Sequence, residues 1–433
     1  MRALPLNSTF LVLVVLFIWS LSRTRSVWQL LSSRTLLAII LLGASVNIAY
    51  SSLAGYINPR DFVQDVVAAH QFLDHKTLYP SDLGTLGVAE LAEPLRGRAL
   101  LERLPGIRSE LSTLSDPPVA QNAHPPVLGM LLAAPVSLLG LRGTFVLILL
   151  LSAGLLYWSV MAILRELFPP IAPLHLWAVM GLIFAWYQVG LTLRGAQPSI
   201  ILLALITAAW LLLRRDKPWL AGSAIGLAAC LHAFPALLLL YFALRVRKAF
   251  LAGILTIGAL TAAAAALTIP GTYREWLATT QTVSHLYIPR PGNLSLAGIL
   301  SSLGADEKLV APAMLALIAL ALAIYLWPWR ARPDRLDVEY SIFIAAMLLA
   351  SPISWGRYLP IMLLPIAVLI RKWRENPPAW AIPALLASLI LMACPDHSYE
   401  WLSTYLTVHV MSLPSFSLIA VLIWLAFPRP EEL

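Results

Sequence analysis

Runs of apolar residues, separated by short basic clusters or by longer polar stretches, organise the 433-residue chain. The first strong run covers about 35–57. Others follow at about 127–141, 143–167, 174–192, 198–213, 219–231, 234–246, 249–269, 308–328, 338–354, 358–370, 378–394 and 410–427. Crossing a hydrocarbon core of about 30 Å takes roughly 20 apolar residues, and a crossing segment must be helical to bond its own backbone. The pattern therefore predicts an all-α polytopic membrane protein with roughly 11–13 transmembrane helices.

The interruptions carry as much information as the runs. The run 219–246 has basic clusters at both ends and breaks at Leu231-His232-Ala233-Phe234-Pro235, so it is expected to be a hairpin of two short helices. Segment 127–141 is short and contains Pro135, which leaves the parity of one crossing open. The run Ser8 to Leu21 resembles a signal core but lacks a small-residue cleavage site, and reads as a retained short span or an interfacial helix. Two polar stretches stand out, 58–124 and 270–297, the second rich in Pro, Gly and Tyr and read as a loop. Within the first, Phe62, Val66, Ala69 or His70, and Leu73 recur at helical spacing, and Leu91, Leu95 and Ala99 suggest a second amphipathic helix lying along the membrane surface.

Composition agrees with this reading: 59% of residues are hydrophobic, 12% are charged, and mean hydropathy is +0.79. The net charge of +8 does not imply nucleic acid, because the basic residues form short clusters between spans. These are Arg23, Arg25 and Arg34; Arg214, Arg215 and Lys217; Arg245, Arg247 and Lys248; Arg330, Arg332 and Arg335; and Arg371, Lys372 and Arg374. Positive-inside bias puts them in the cytoplasm and makes 58–124 extracytoplasmic. That stretch holds nine acidic and six basic residues. The two cysteines, Cys230 and Cys394, are too few for a disulfide framework.

Candidate chemistry begins at Asp61 and Asp65, four residues apart where the first strong span ends. Asp61 precedes Gln64 by three positions, the spacing of a helix N-cap with its capping-box partner, and a carboxylate there can also serve as a general base. Asp65, one turn on, is either a second surface acid or a supporting group able to touch a metal. No cluster has the spacing of a fixed metal site, so no cofactor is expected and a divalent metal is the disfavoured alternative. Arg194, His232, Arg290 and Arg357 interrupt apolar surroundings, where ionisable groups are costly and mark candidate sites. Snorkelling to headgroups is the competing account of Arg194 and Arg290, and bonding to a freed carbonyl that of His232. Arg357 is placed to hold a phosphate through paired hydrogen bonds. Trp355 and Tyr358 fit an interfacial aromatic belt equally well.

Several segments, in order, resemble glycosyltransferase family 87, membrane enzymes with a GT-C-type fold. They are Asp61-Phe62, Ala68-Ala69, Leu78-Tyr79-Pro80, His124-Pro125-Pro126, Gly195-Ala196-Gln197, the hairpin 218–248, Asn293-Leu294-Ser295-Leu296 and Ser351-Pro352-Ile353-Ser354-Trp355. The resemblance implies inverting transfer of a mannose-like hexose from a polyprenyl-phosphate donor to a lipid or glycan acceptor, on the outer face of the cell membrane, with Asp61 as base. Beside it, the ionisable groups in apolar surroundings, Arg357, Arg194, Arg290 and His232, are the candidates for the donor phosphate, and Gln197, Asn293, Trp355, Tyr358 and His124 those for lining the substrate. The chain departs from the family pattern at His232, Ala196 and Arg357, which bear on donor recognition. A flippase of lipid-linked glycans and a catalytically silent member are the competing readings.

Overall fold

The computed structural model describes residues 34–57, 60–79, 122–289, 293–302, 304–305, 312, 316 and 335–372. Asp61 and Arg335 are described in backbone alone, and Arg290 lies outside the described residues. So do the runs 378–394 and 410–427, most of 308–328, the Ser8 to Leu21 segment and the expected helix around Leu91.

Among the described residues all regular structure is helical, in an all-α membrane protein. The α-helices are α1 (Arg34–Ile57), α2 (Arg60–Leu73), α3 (Pro126–Leu167), α4 (Pro173–Ala185), α5 (Tyr187–Arg194), α6 (Ser199–Arg214), α7 (Pro218–Leu231), α8 (Leu238–Arg245), α9 (Arg247–Leu267), α10 (Thr272–Tyr287), α11 (Leu296–Ser302), α12 (Arg335–Ala350) and α13 (Leu363–Lys372). Short 3-10 turns at Phe234–Leu237 and Gly356–Met362 precede α8 and α13. Three of these helices, or four if the bent pair α4–α5 is one span, are long and apolar enough to cross a membrane. Helices α6, α7 and the 234–245 segment are apolar but shorter.

Helix α3 carries both of the runs 127–141 and 143–167. At 42 residues it would extend roughly 63 Å, about twice a hydrocarbon core, but Gly140 sits inside it at φ 65°, ψ −173° and breaks it in two. Both parts pack on α2: before Gly140, a methyl added at Gly129 would lie 3.5 Å from the Ala68 backbone, and after it the Phe145 ring lies 6.1 Å from that of Phe62. On α2 the buried positions include Phe62, Asp65, Val66 and Ala69, the i, i+3, i+4, i+7 stripe of one helical face, and Val67, Ala68 and Gln71 are buried beside them. Leu73, expected on that stripe, is instead 41% exposed. Helix α2 thus packs on α3 rather than lying alone on a membrane surface.

The α4–α5 span bends by 59° between Ala185 and Tyr187, which frees carbonyls from the helical ladder. Asn47 of α1 meets two of them, donating from Nδ2 to Phe184 O (2.8 Å) and Trp186 O (3.1 Å). The break expected near His232 is present, with α7 ending at Leu231 and a 3-10 turn starting at Phe234. The hairpin closes on α9 through small residues: a methyl on Gly222 would collide with the Ala249 backbone, and one on Gly226 would lie 2.7 Å from Gly253 O. Such close approach is how helices pack where lipid supplies no hydrophobic drive.

Three of the basic clusters meet at one end of the bundle. Arg214, at the end of α6, donates to both Asp337 oxygens at 2.7 Å and to Glu166 at 2.8 Å. Trp210 Nε1 and Arg371 reach the same Asp337 at 2.9 and 3.5 Å. Nearby on α12, Glu339 accepts from Arg245 at 2.5 and 3.0 Å. Helices α6, α12 and α13 join this end to the opposite one, where Gln197, Ser351–Ser354 and Tyr358 lie. The second polar stretch corrects the sequence reading: 272–287 is a helix, α10, and not a loop. Gly271 at φ 94° supplies the left-handed residue that starts it.

Candidate functional site

The end of the bundle away from the arginine cluster gathers a chain of buried polar side chains. Asp65, on the inward face of α2, is 2% exposed, so it is not a surface acid. Its Oδ1 lies 2.6 Å from Nδ1 of His124, itself 6% exposed, in the residues that lead into α3. Burial of a carboxylate demands such a partner.

His124 is held on every side. Its backbone N–H donates to Asn122 Oδ1 at 2.8 Å, and its carbonyl accepts from the Tyr79 hydroxyl at 2.6 Å. The carbonyl before it, Ala123 O, accepts from Trp276 Nε1 of α10 at 3.0 Å. Helix α10 also accepts on Glu275 from the Thr77 hydroxyl at 2.5 Å, and Thr77 in turn accepts from Tyr79 N–H at 3.2 Å. Burial, together with the nearby Tyr273, Asp65 and Glu275, pushes the Tyr79 phenol far above its ordinary range, so it remains a proton donor. Residues 65–79, 122–124 and α10, from the two polar stretches of the sequence, therefore form one assembly around His124.

The ring of His124 stands edge to face with that of His232, centroids 5.3 Å apart. His232 occupies the break after α7, where its Nε2 lies 3.0 Å from the Tyr358 hydroxyl. Phe234 packs against both, at 4.5 and 5.3 Å between centroids. Arg357 precedes Tyr358 in the 3-10 turn, with its guanidinium 6.0 Å from the Trp355 ring centroid, and its positive charge acts on His232. Its carbonyl is tied to α5 by the Thr192 hydroxyl at 2.8 Å. Gly356 permits this approach, since a methyl there would come within 2.5 Å of Gln188 Oε1.

The other residues singled out in the sequence fare differently. Helix α2 begins at Arg60, so Asp61 sits inside its first turn rather than at its cap, one turn before Asp65 on the same face. Asn293 is engaged in a joint: its Oδ1 accepts from Ser295 N–H and Ser354 N–H at 3.2 and 2.9 Å, and its Nδ2 donates to Pro352 O and Ile288 O at 3.0 and 3.3 Å. Gln197 is buried and donates to Gly195 O at 3.3 Å. Trp355 meets the edge of Tyr287, centroids 5.9 Å apart. Arg194 ends α5, half-buried, beside the 356–362 turn. Sequence reasoning missed Tyr79, Thr192, Glu275 and Trp276 as parts of the assembly, because their partners lie far along the chain, and it missed Asn122, two residues from His124, because nothing marked that local bond. Among the described residues no three His, Cys, Asp or Glu side chains stand together as a metal site.

A family model, Glycosyltransferase family 87, matches residues 124–352. The match starts at the gripped histidine, ends at Pro352 in the Asn293 joint, and covers more than half of the chain. The chain belongs to glycosyltransferase family 87. No curated protein and no solved structure matches it. Membership makes the chain a membrane glycosyltransferase; His124 and His232 lie within the matched segment, Asp61 and Asp65 precede it, and Arg357 and Tyr358 follow it.

Proposed function

We propose that this enzyme transfers a mannose-like hexose from a polyprenyl-phosphate donor to a lipid or glycan acceptor on the extracytoplasmic face of the cell membrane, with inversion at the anomeric carbon. Asp61 is the general base that takes the proton of the attacking hydroxyl. Displacement in one step by an oxygen opposite the phosphate inverts the centre. The departing polyprenyl phosphate is a stable anion that needs no acid, so the protein has only to meet its charge. Arg357, always protonated, is the guanidinium assigned to it, with Arg194, Arg290 and His232 in support.

The observation that carries this reading is the convergence, at one end of the bundle, of the helix bearing Asp61, the buried polar chain from Asp65 to Tyr358, and Arg357. The end with Arg214, Arg245 and Arg371 supports a cytoplasmic placement of the opposite side, and hence an outward site. A flippase would use the broken helices equally well, but membership of a transferase family favours group transfer.

The test is sugar transfer in reconstituted membranes from a polyprenyl-phosphate mannose, followed by the mass of the acceptor. Asp61→Asn should abolish transfer while the folded protein is recovered in normal amount. Full activity in that variant would exclude Asp61 as the base. Movement of labelled lipid between leaflets without change of mass would instead establish a flippase.

A further inference from the structure

Four hydrogen bonds fix the residues around His124: at its backbone N–H, at its carbonyl, at the carbonyl before it, and at ring Nδ1. One is local, from Asn122 two residues before, and three come from distant parts of the chain, namely Asp65, Tyr79 and Trp276. Such concentration is not needed merely to seat a buried ring. Among the described residues the ring's hydrogen bond is the one at Nδ1, to a carboxylate, and the remaining polar atom, Nε2, has none.

The bond to Asp65 also decides what Nε2 can do. An ionised carboxylate only accepts, so Nδ1 must carry the proton. In the neutral ring Nε2 then presents a lone pair in a fixed direction, because the partner of one ring nitrogen sets the tautomer of the other. A lone pair takes a hydrogen bond from a hydroxyl but not from a phosphate oxygen, which is itself an acceptor. The substrates of a glycosyltransferase are rich in hydroxyls, and the ring lies between α2, which bears Asp61, and the His232–Tyr358 pair beside Arg357.

We propose that His124 contacts substrate, its Nε2 accepting a hydrogen bond from one hydroxyl of the transferred sugar, and that Asp65 is the positioning residue that fixes its tautomer. This rests on the transferase reading above and adds to it the group by which one sugar is told from another. Loss of a neutral hydrogen bond costs about tenfold in kcat/KM at this scale. His124 and Asp65 are thereby separated in role from Asp61, which removes the proton, and from Arg357, which meets the phosphate.

The experiment uses the full chain in lipid nanodiscs with a short-chain polyprenyl-phosphate mannose and its 2-, 3-, 4- and 6-deoxy analogues. The wild type should lose about tenfold in kcat/KM with one analogue. His124→Phe should lose a similar factor with the parent donor and nothing further with that analogue. Asp65→Ala should follow His124→Phe, and Asp65→Asn, whose amide oxygen still accepts from Nδ1, should recover part of the discrimination. Undiminished discrimination in His124→Phe overturns the proposal, as does an equal loss on every analogue. A second arm stands apart from turnover: 15N-histidine spectra, with the His124 signals assigned by their absence in His124→Phe. They should show a proton on Nδ1 in the wild type, a loss of that preference in Asp65→Ala, and a shift at Nε2 on adding octyl β-mannoside. A shift with octyl phosphate alone, or with neither probe, overturns the proposal. If the wild type accepts no polyprenyl-phosphate sugar, the donor assignment fails and the spectra decide the role of His124.

Discussion

Asp337 offers the sharpest test of what holds the bundle together. It is 2% exposed and accepts from Arg214 twice, from Trp210 and, at longer range, from Arg371. In Asp337→Ala, Arg214 does not lose everything, since its side chain is 27% exposed and keeps Glu166 at 2.8 Å. The group left stranded is the indole N–H of Trp210, which is 0% exposed. An orphaned buried donor costs about 1–3 kcal/mol, and breaking a fully buried ion pair about 3–5. Partial exposure of Arg214 pulls the second figure down, so the expected loss is about 3 kcal/mol. Trp210→Phe alone should cost about 1 kcal/mol, and the double variant should fall short of the sum by about 1 kcal/mol, because the stranded N–H is then gone. The assay is the unfolding free energy in mixed micelles, titrated with SDS and followed by far-UV circular dichroism. Sugar transfer per folded molecule should be unchanged, since the site is at the other end of α6 and α12. A value for Asp337→Ala within about 0.5 kcal/mol of wild type, or strict additivity in the cycle, would refute the reasoning.

Three further outcomes follow from particular contacts. Gly222→Ala forces a methyl into the Ala249 backbone and should cost about 3 kcal/mol, whereas Gly258→Ala, with nothing within 4 Å on the same hairpin partner α9, should gain up to about 1 kcal/mol in the same SDS titration. Ala196 sits at φ 44°, so Ala196→Gly should be near neutral, relief of strain offsetting the lost methyl and the looser unfolded chain. Ala196→Val should lose more than about 2 kcal/mol; thermal unfolding of the two variants distinguishes them. Tyr79→Phe removes the donor to His124 O and should cost about 1–3 kcal/mol, with a fall in kcat for sugar transfer larger than the change in KM.

The hydropathy pattern made the axial plan legible. The first strong span, the hairpin break at His232 and the helical stripe from Phe62 to Ala69 all stand where apolar spacing and proline put them. Lateral pairing was not legible. Asp65 and His124 are 59 residues apart, and Trp210 and Asp337 127 apart, so no local spacing announces either pair. A buried carboxylate looks like a surface one until its partner is known, which is why a surface acid stayed open for Asp65 beside a supporting role. Helix α10 was hidden by its polarity: Arg274, Glu275 and His285 break any apolar run, and its anchors are Thr77 and Ala123 on distant chain. The loss of helical geometry at Gly140 left only a short apolar run and Pro135 as signs.

The Asn293 joint also bears on how the turn with Arg357 and Tyr358 is held. By fastening 293–295 to 352–354, it ties off the intervening stretch at its neck, as a knot closes a bag. Tyr358 and Arg357, which follow directly after the neck, are thereby held a few residues from a point where the chain is pinned to itself, and the family match ends at residue 352, at that neck.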